Sequence, residues 1–343
     1  MEPLLNTLYV TTPGAYLHLD HDTVRVEVER QTQLRVPLLH LGAIMAFGEV
    51  LLSPALLERC AEDGRSVVLL DRAGRFKARL EGPTSGNVLL RRAQHAALSD
   101  EARTLAIARN CAAGKIQNCR QVLLRAAREA ADAADGGVLS AAATRLGSLL
   151  QAVGEASDLN GLRGREGEAA RTYFSVFDRA VRVDRDAFRL DGRTRRPPIG
   201  RVNALLSFLY TVLTADCAGA VEGVGLDPQV GYLHALRPGR PALALDLMEE
   251  LRPVVADRLA LTLINRRQLQ PNDFEERPGG STRLTEAGRK TVIVAYQQRK
   301  LEEVPHRGLD RKVPLGLVPH VQARLLARHL RGDLEHYPPY LMR

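Results

Sequence analysis

The four cysteines of this 343-residue chain provide no framework for disulfides or a zinc site. They are Cys60, Cys111, Cys119 and Cys217, and none forms a Cys-x-x-Cys pair, so reduced, buried thiols in a cytoplasmic protein are expected.

No apolar run reaches the roughly 18 residues that a membrane-spanning helix needs, so no membrane partner is expected. The N-terminus lacks a basic segment followed by a long apolar one, and no secretory signal is predicted. No internal repeat with a fixed period is found.

Acidic residues are outnumbered. The chain has 48 Lys and Arg against 40 Asp and Glu, a net charge of +8, and Arg predominates over Lys. This balance favours a polyanionic partner, nucleic acid before a membrane surface, because arginine binds phosphate in a bidentate way. Two simpler explanations stay open: a basic protein that is merely soluble, and a GC-rich genome that enriches Arg, Ala and Gly together. The hydrophobic fraction of 45% and the charged fraction of 26% exclude wholesale disorder.

Residues 1–82 are predicted to form a small β-rich domain. Val24, Val26 and Val28 alternate with polar residues, which is the period-two pattern of a half-buried strand. One helix interrupts the strands, with Ser53 as its N-cap and Pro54 at its first position. Other short strands are predicted around 8–12, 16–19, 34–36 and 43–47, and a closing hairpin turns at Ala73-Gly74.

A linker is predicted at 83–90, where Gly, Pro and Ser cluster. Residues 91–343 are then rich in Ala, Leu and Arg at helical spacing, so a larger all-α catalytic domain is expected, broken by proline-rich loops at Arg195–Pro198 and Pro271–Gly280. The predicted fold class is therefore α+β.

The first segment with chemical potential is GLRGREGEAARTYF, at 161–174. Its glycines are predicted to open a helix that carries Glu166 and Glu168. Taken alone, two carboxylates near a helix start are explained equally well by the positive end of the helix dipole.

The second segment, at 193–213, places a basic loop before an apolar helix with Asn203 near its start. The loop is suited to gripping a phosphate, although a solvated turn explains it equally well. The arginines predicted to contact DNA, in this loop and in the next segment, are Arg193, Arg195, Arg196, Arg237 and Arg240.

The third segment, at 225–253, contains His234 in or just after an apolar helical turn, and the carboxylates Asp246 and Glu249. Residues i and i+3 share a helix face, so the two carboxylates are expected to point at one spot. Buried carboxylates need a cation, and carboxylates with one imidazole suit Mn²⁺ or Mg²⁺ better than zinc. Two alternatives stay open: His234 as a core residue, and carboxylates paired with Arg237, Arg240 or Arg252.

Together these segments resemble the CRISPR-associated integrase/endonuclease family that captures spacers. The resemblance is carried by GREGEAARTYF at 164–174, by RRPPIGRVNALLSFLY at 195–210, and by GLDPQVGYLH followed by LDLMEELRP at 225–253. Residues 281–340 are similar to the branch found with type I-C systems. The three motifs stand in the family's order and spacing, and the resemblance runs over nearly the whole chain.

The resemblance implies a Mn²⁺ or Mg²⁺ ion held by Glu166, His234 and Glu249, with Asp246 at a second acidic position close to the metal. It implies antiviral spacer acquisition, in which a 3′-hydroxyl of captured DNA attacks a phosphodiester of the CRISPR repeat. The implied partners are double-stranded DNA, a second copy bound through the β domain, and a small adaptation protein that bridges two dimers.

Two rival functions remain open at this point. One is a general metal-dependent nuclease acting on branched or single-stranded DNA without joining it. The other is a non-catalytic basic scaffold that binds DNA.

Overall fold

The computed structural model describes residues 6–72, 74–82 and 88–342, and the chain divides into two compact units, Met1–Ser85 and Gly86–Arg343. The predicted linker at 83–90 falls partly on residues 83–87, which lie outside the described residues. Its last positions, 88–90, begin helix α2 (Val88–Ser99).

The first unit contains two four-stranded sheets and one helix, as the predicted β-rich region requires. One sheet has the order β1-β5-β7-β8, with β1, β5 and β7 parallel and β8 antiparallel. The other has the order β4-β3-β2-β6. The elements are β1 (Asn6–Val10), β2 (Tyr16–Asp20), β3 (Thr23–Val28), β4 (Gln31–Pro37), β5 (Leu41–Phe47), β6 (Leu51–Leu52), α1 (Pro54–Glu62), β7 (Ser66–Leu70) and β8 (Phe76–Leu80).

Local sequence signals explain this unit well. Val24 and Val26 are buried in the core, as period-two alternation predicts. The Ser53 hydroxyl accepts a hydrogen bond from the Leu56 amide at 3.2 Å and caps α1, and Gly64 follows the helix with φ +66°. Strands β7 and β8 form the predicted hairpin, although Ala73 at its turn lies outside the described residues.

The second unit is mainly helical. Three of its helices begin at aspartate caps: Asp100, Asp132 and Asp158 each accept a hydrogen bond from a first-turn amide. The helices are α2, α3 (Glu101–Arg128), α4 (Ala133–Gly154), α5 (Leu159–Phe174), α6 (Arg201–Gly223), α7 (Ala242–Leu251), α8 (Arg258–Asn265), α9 (Glu286–Leu301) and α10 (Val318–Arg331), and a π-helical turn (Arg252–Asp257) joins α7 to α8.

Helix α6 has the length and hydropathy of a membrane span, but 67% of its most apolar window is buried inside the structure. Its packing is that of a core helix.

Two features of this unit differ from the sequence prediction of an all-α domain. First, it carries two small antiparallel hairpins, β9 (Phe274–Glu276) with β10 (Thr282–Leu284), and β11 (Glu303–His306) with β12 (Arg311–Pro314). Strand β9 lies inside the loop predicted at Pro271–Gly280, where glycines with positive φ close the turn.

Second, the stretch before α7 that was predicted to hold a helical turn around His234 is irregular. The backbone amides of Tyr232, Leu233 and His234 donate to the Asp246 carboxylate instead of to helical carbonyls. A Cβ on Gly231 would lie 2.6 Å from the Ala242 carbonyl carbon, so only glycine fits this close approach to α7.

The C-terminal residues 333–342 fold back over α3 and α7. The Asn118 side-chain amide donates to the carbonyls of Glu250 and Tyr340, both at 2.8 Å, and its oxygen accepts from the Met342 amide at 2.8 Å. One buried asparagine therefore joins the tail to the two helices that position the candidate site.

Candidate active site

Glu166 lies in the middle of α5 rather than at its start. The helix begins at Leu159, and the Asp158 carboxylate already accepts the Gly161 amide at 2.9 Å. The dipole explanation left open for Glu166 therefore loses its basis, because that effect is confined to the first turn. The Glu166 carboxylate instead contacts the Lys115 ammonium of α3.

The His234 imidazole is held by Asp246. Its Nδ1 lies 2.6 Å from Asp246 Oδ1, and the backbone amides of Tyr232, Leu233 and His234 donate to the same carboxylate at 2.6–2.9 Å. Four donors occupy the positions at which a carboxylate accepts hydrogen bonds. Asp246 therefore fixes both the backbone of this loop and the orientation of the His234 ring. The other ring nitrogen, Nε2, faces Glu249.

Glu249 is buried and joins three cationic or titratable groups. Its Oε1 lies 2.9 Å from an Arg252 nitrogen and 3.5 Å from His234 Nε2, and its Oε2 lies 2.7 Å from Lys115 Nζ. The i,i+3 spacing brings Asp246 and Glu249 to opposite nitrogens of one imidazole. The pairing of Glu249 with Arg252, an alternative left open by the sequence, is present as well.

The charges of this cluster stabilise one another. Burial by itself raises the pKa of Glu249, but the attraction of Arg252, Lys115 and His234 outweighs it and holds the pKa far below its ordinary value. Burial lowers the pKa of Lys115, and the attraction of Glu249 and Glu166 raises it above its ordinary value. Glu249 and Lys115 are therefore both ionised at neutral pH.

The donor types of the cluster suit a hard divalent cation: two carboxylates and one imidazole nitrogen. Among the described residues, however, no three His, Cys, Asp or Glu side chains are grouped so that they could hold a metal ion. The Lys115 ammonium contacts both the Glu166 and the Glu249 carboxylates and supplies the positive charge between them. The donor atoms of Glu166, His234 and Glu249 are thus of the types that a divalent metal prefers, and Lys115 pairs with the two glutamates.

The five arginines predicted to contact DNA are divided by the structure. Arg193 turns inward, donates to the Asn203 oxygen at 2.8 Å, and lies over the Tyr210 ring. Arg195, Arg196 and Arg237 are exposed. Burial lowers the pKa of Arg240, and repulsion from Arg237 and other arginines lowers it further, which marks a concentration of positive charge beside the His234 loop.

The chain was compared with known proteins. The family described as CRISPR associated protein Cas1 matches residues 8–298. The chain belongs to the Cas1 family. A relative named CRISPR-associated endonuclease Cas1 1, from Moorella thermoacetica, is 59% identical over 343 residues, covering 100% of both chains.

Solved structures agree with this family assignment. A Cas1 protein from Thermotoga maritima has a TM-score of 0.83 and 27% identity, covering 95% of this chain and 97% of its own. A casposase bound to an integration product has the same TM-score at 21% identity, covering 97% of this chain and 93% of its own, and it shows likeness of fold alone. The order of a β-rich region and then a helical region is thus the Cas1 fold.

A recess lies beside the site of this Cas1 protein. It has a volume of about 10 Å³, room for about one water molecule. Its lining combines the charged residues Lys115, Arg195, Arg252 and Asp257 with Cys119, Ala170, Tyr173, Phe174, Tyr210 and Pro253. The Tyr210 hydroxyl donates to Asp257 Oδ1 at 2.7 Å. Burial raises the pKa of Asp257 to about 6, although Tyr210 and Arg252 oppose that rise.

Asp257 should make folding stability depend on pH. Its folded pKa lies above the unfolded value of 3.8, so its contribution is complete below pH 3.8 and is lost as the pH rises through about 6. We expect the unfolding free energy of the wild type, relative to that of Asp257→Asn, to fall by up to about 3 kcal/mol between pH 4 and 7. Urea denaturation of both proteins at each pH measures the difference, and parallel profiles would contradict the prediction.

Lys115 is the site residue that the sequence analysis missed. It lies four residues after Cys111 and four before Cys119, so it falls on the buried face of α3. A lone lysine on an apolar helical stripe needs a partner of opposite charge, and that signal was available in the sequence.

Proposed function

We propose that this Cas1 family member is a metal-dependent DNA endonuclease and integrase that inserts captured fragments into a CRISPR array, as part of antiviral defence. The supporting observation is that contacts join Glu166, His234 and Glu249 from three separate segments: Lys115 pairs with both glutamates, and His234 Nε2 lies 3.5 Å from Glu249 Oε1. The endonuclease name of the 59% identical relative supports the same activity.

The proposed cofactor is Mn²⁺ or Mg²⁺, held by Glu166, His234 and Glu249, and when bound it supplies charge neutralisation at the attacked phosphate. Asp246 accepts the Nδ1 proton and so keeps the lone pair of a neutral imidazole on Nε2. Arg252 fixes the Glu249 carboxylate from the side opposite Lys115.

The proposed reaction is a transesterification. A 3′-hydroxyl of the captured DNA attacks a repeat phosphodiester, forms a new phosphorus–oxygen bond, and releases the original bridging oxygen as a new 3′-hydroxyl. Positive charge beside the site, from Arg195, Arg237 and Arg240, holds the backbones of both DNAs through phosphate contacts.

The finer assignments belong to the same proposal. Residues 281–340 support a place in the type I-C branch. Family membership supports a homodimer through the β domain and a small adaptation protein that bridges two dimers. A cytoplasmic location is predicted from the reduced cysteines.

An integration assay tests the proposal. Wild-type protein with its bridging partner, Mn²⁺, a supercoiled plasmid carrying one repeat and a short duplex with free 3′-hydroxyls should give plasmid joined to duplex. A matched duplex with 3′-dideoxy ends is the control and should give no joined product. Cutting without joining would support the general nuclease instead, and DNA binding with neither cutting nor joining would support the scaffold.

A further inference from the structure

The Arg252 guanidinium, which pairs with Glu249, packs against the aromatic ring of Tyr210. The Cζ atom of this arginine lies 4.9 Å from the centre of the ring. Only 10% of the arginine side chain is exposed, and its buried Nε has no hydrogen-bond partner among the described residues. A desolvated guanidinium is attracted to the negative face of an aromatic ring. Tyr210 therefore gives a second favourable contact to the arginine that holds Glu249.

The same ring packs against a second guanidinium, that of Arg193, whose Cζ lies 5.2 Å from the ring centre. Arg193 also donates to the side chains of Asn203, at 2.8 Å, and Ser207, at 3.1 Å. The Asn203 amide donates in turn to the carbonyls of Gly192 and Ile199, both at 2.9 Å, and so ties both ends of the basic loop to α6. One ring thus contacts the arginine that holds a proposed metal ligand and an arginine that shapes the basic loop.

The π-helical turn between α7 and α8 fixes the position of this ring. Arg252 is the first residue of the turn and Asp257 is the last. In a π-helical turn residues i and i+5 are joined by a hydrogen bond and lie one above the other, whereas an α-helix would place them on different sides. The turn therefore brings Arg252 against the face of Tyr210 and Asp257 to its hydroxyl, which donates to Asp257 Oδ1 at 2.7 Å.

We propose that Tyr210 is a positioning residue of the nuclease site, whose ring holds Arg252 in place and, through it, the Glu249 carboxylate. The inference rests on the proposed function. Tyr210 acts through Arg252 and not by contact with the reacting atoms. Through Arg193 the same ring also fixes the basic loop relative to the site.

The first test separates the ring of Tyr210 from its hydroxyl. Tyr210→Leu removes the aromatic face, and we expect it to lower kcat for strand transfer by about tenfold or more. Tyr210→Phe keeps the face and loses only the bond to Asp257, so its kcat should stay within about threefold of the wild-type value. Both rates are measured in the integration assay at saturating DNA and Mn²⁺.

Tyr296→Leu is the matched control. Tyr296 is also buried, and its hydroxyl also donates to an aspartate, Asp216, at 2.8 Å, but its ring lies near Lys300. Its substitution should lower the melting temperature about as much as Tyr210→Leu does, because each removes a buried ring and a buried hydrogen bond. Strand transfer by Tyr296→Leu should remain at the wild-type rate.

A double-mutant cycle without metal measures the contact between Tyr210 and Arg252. Urea unfolding is compared for the wild type, Tyr210→Leu, Arg252→Met and the double variant. The two losses should not add: the unfolding equilibrium constant of the double variant should be at least about threefold smaller than the single variants together predict. In the reference cycle of Tyr296→Leu with Arg252→Met, the losses should add.

The outcomes separate the inference from the proposed function. If Tyr210→Phe loses as much activity as Tyr210→Leu, or if the losses add in the cycle of Tyr210 with Arg252, the positioning role of the ring is wrong. If the wild type gives no joined product while the cycle shows coupling, the contact stands and the proposed function fails. If Tyr210→Leu does not fold, pentafluorophenylalanine at position 210 takes its place, because it keeps the shape of the ring and removes its negative face. A rate equal to that of Tyr210→Phe would then contradict the proposal, and a rate lower by about tenfold would support it.

Discussion

Replacing His234 by alanine is expected to lower the rate of DNA strand transfer by about 10³-fold or more, because a metal site supplies several kcal/mol of transition-state stabilisation. His234 Nε2 lies 3.5 Å from Glu249 Oε1, so the substitution removes one donor of the proposed metal site. Binding of duplex DNA should change little, since phosphate contacts come from arginines elsewhere. Strand transfer is measured by the integration assay, and binding by fluorescence anisotropy.

Asp246→Asn should lower the rate of strand transfer less than His234→Ala does. An asparagine oxygen accepts fewer hydrogen bonds than the four that Asp246 accepts. The His234 ring is then less firmly oriented, but its Nε2 atom is still present in the site. The expected loss of activity is about 10–100-fold. His329→Ala, which removes a histidine bonded to the Leu334 carbonyl, is the matched control and should keep full activity. Strand transfer by His234→Ala at the wild-type rate would show that the site has been assigned to the wrong residues.

Replacing Glu250 by alanine is expected to lower the unfolding free energy by about 3–5 kcal/mol. Glu250 is fully buried, and its carboxyl accepts from Gln322 at 2.8 Å, the Tyr337 hydroxyl at 2.7 Å and the Tyr340 amide at 2.9 Å. Alanine leaves three buried donors without that acceptor and opens space between α7 and the tail. Burial raises the pKa of Glu250 from 4.5 to about 7, so the loss should be greatest below pH 4.5 and should shrink as the pH rises through about 7.

Denaturant unfolding of Glu250→Ala measures this loss, with Glu129→Ala as the control. Glu129 pairs with Arg125 at the surface, so its removal should cost less than about 1 kcal/mol. Limited proteolysis adds a local measure, because release of the tail should expose residues 333–342 to cleavage before the rest of the unit. Equal stability of the two variants would mean that the tail does not depend on Glu250.

Much of the fold follows from local patterns in the sequence. Alternating valines predicted β3, and Ser53 with Pro54 predicted the start of α1, because strand periodicity and helix capping are properties of a few neighbouring residues. The hairpins of the second unit were missed, since strands of three or four residues are too short to show a period. The irregular path around His234 was also missed, because it depends on Gly231 meeting α7 and on three amides reaching Asp246.

The candidate site was predictable only in part for a similar reason. The i,i+3 spacing of Asp246 and Glu249 is local and placed both carboxylates beside one imidazole. Spacing could not join Glu166 to them, and the family motifs supplied that connection. Lys115 and the tail are brought to the site by packing between distant segments, which no local pattern records.

The tail contacts of Glu250 also set an order of events during synthesis. Tyr337 and Tyr340 are synthesised about 90 positions after the carboxylate to which they donate. Until they arrive, the Glu250 carboxyl lacks two of its three donors. Helix α7, which also carries Asp246 and Glu249, is therefore fully packed only after residues 337–340 have been synthesised.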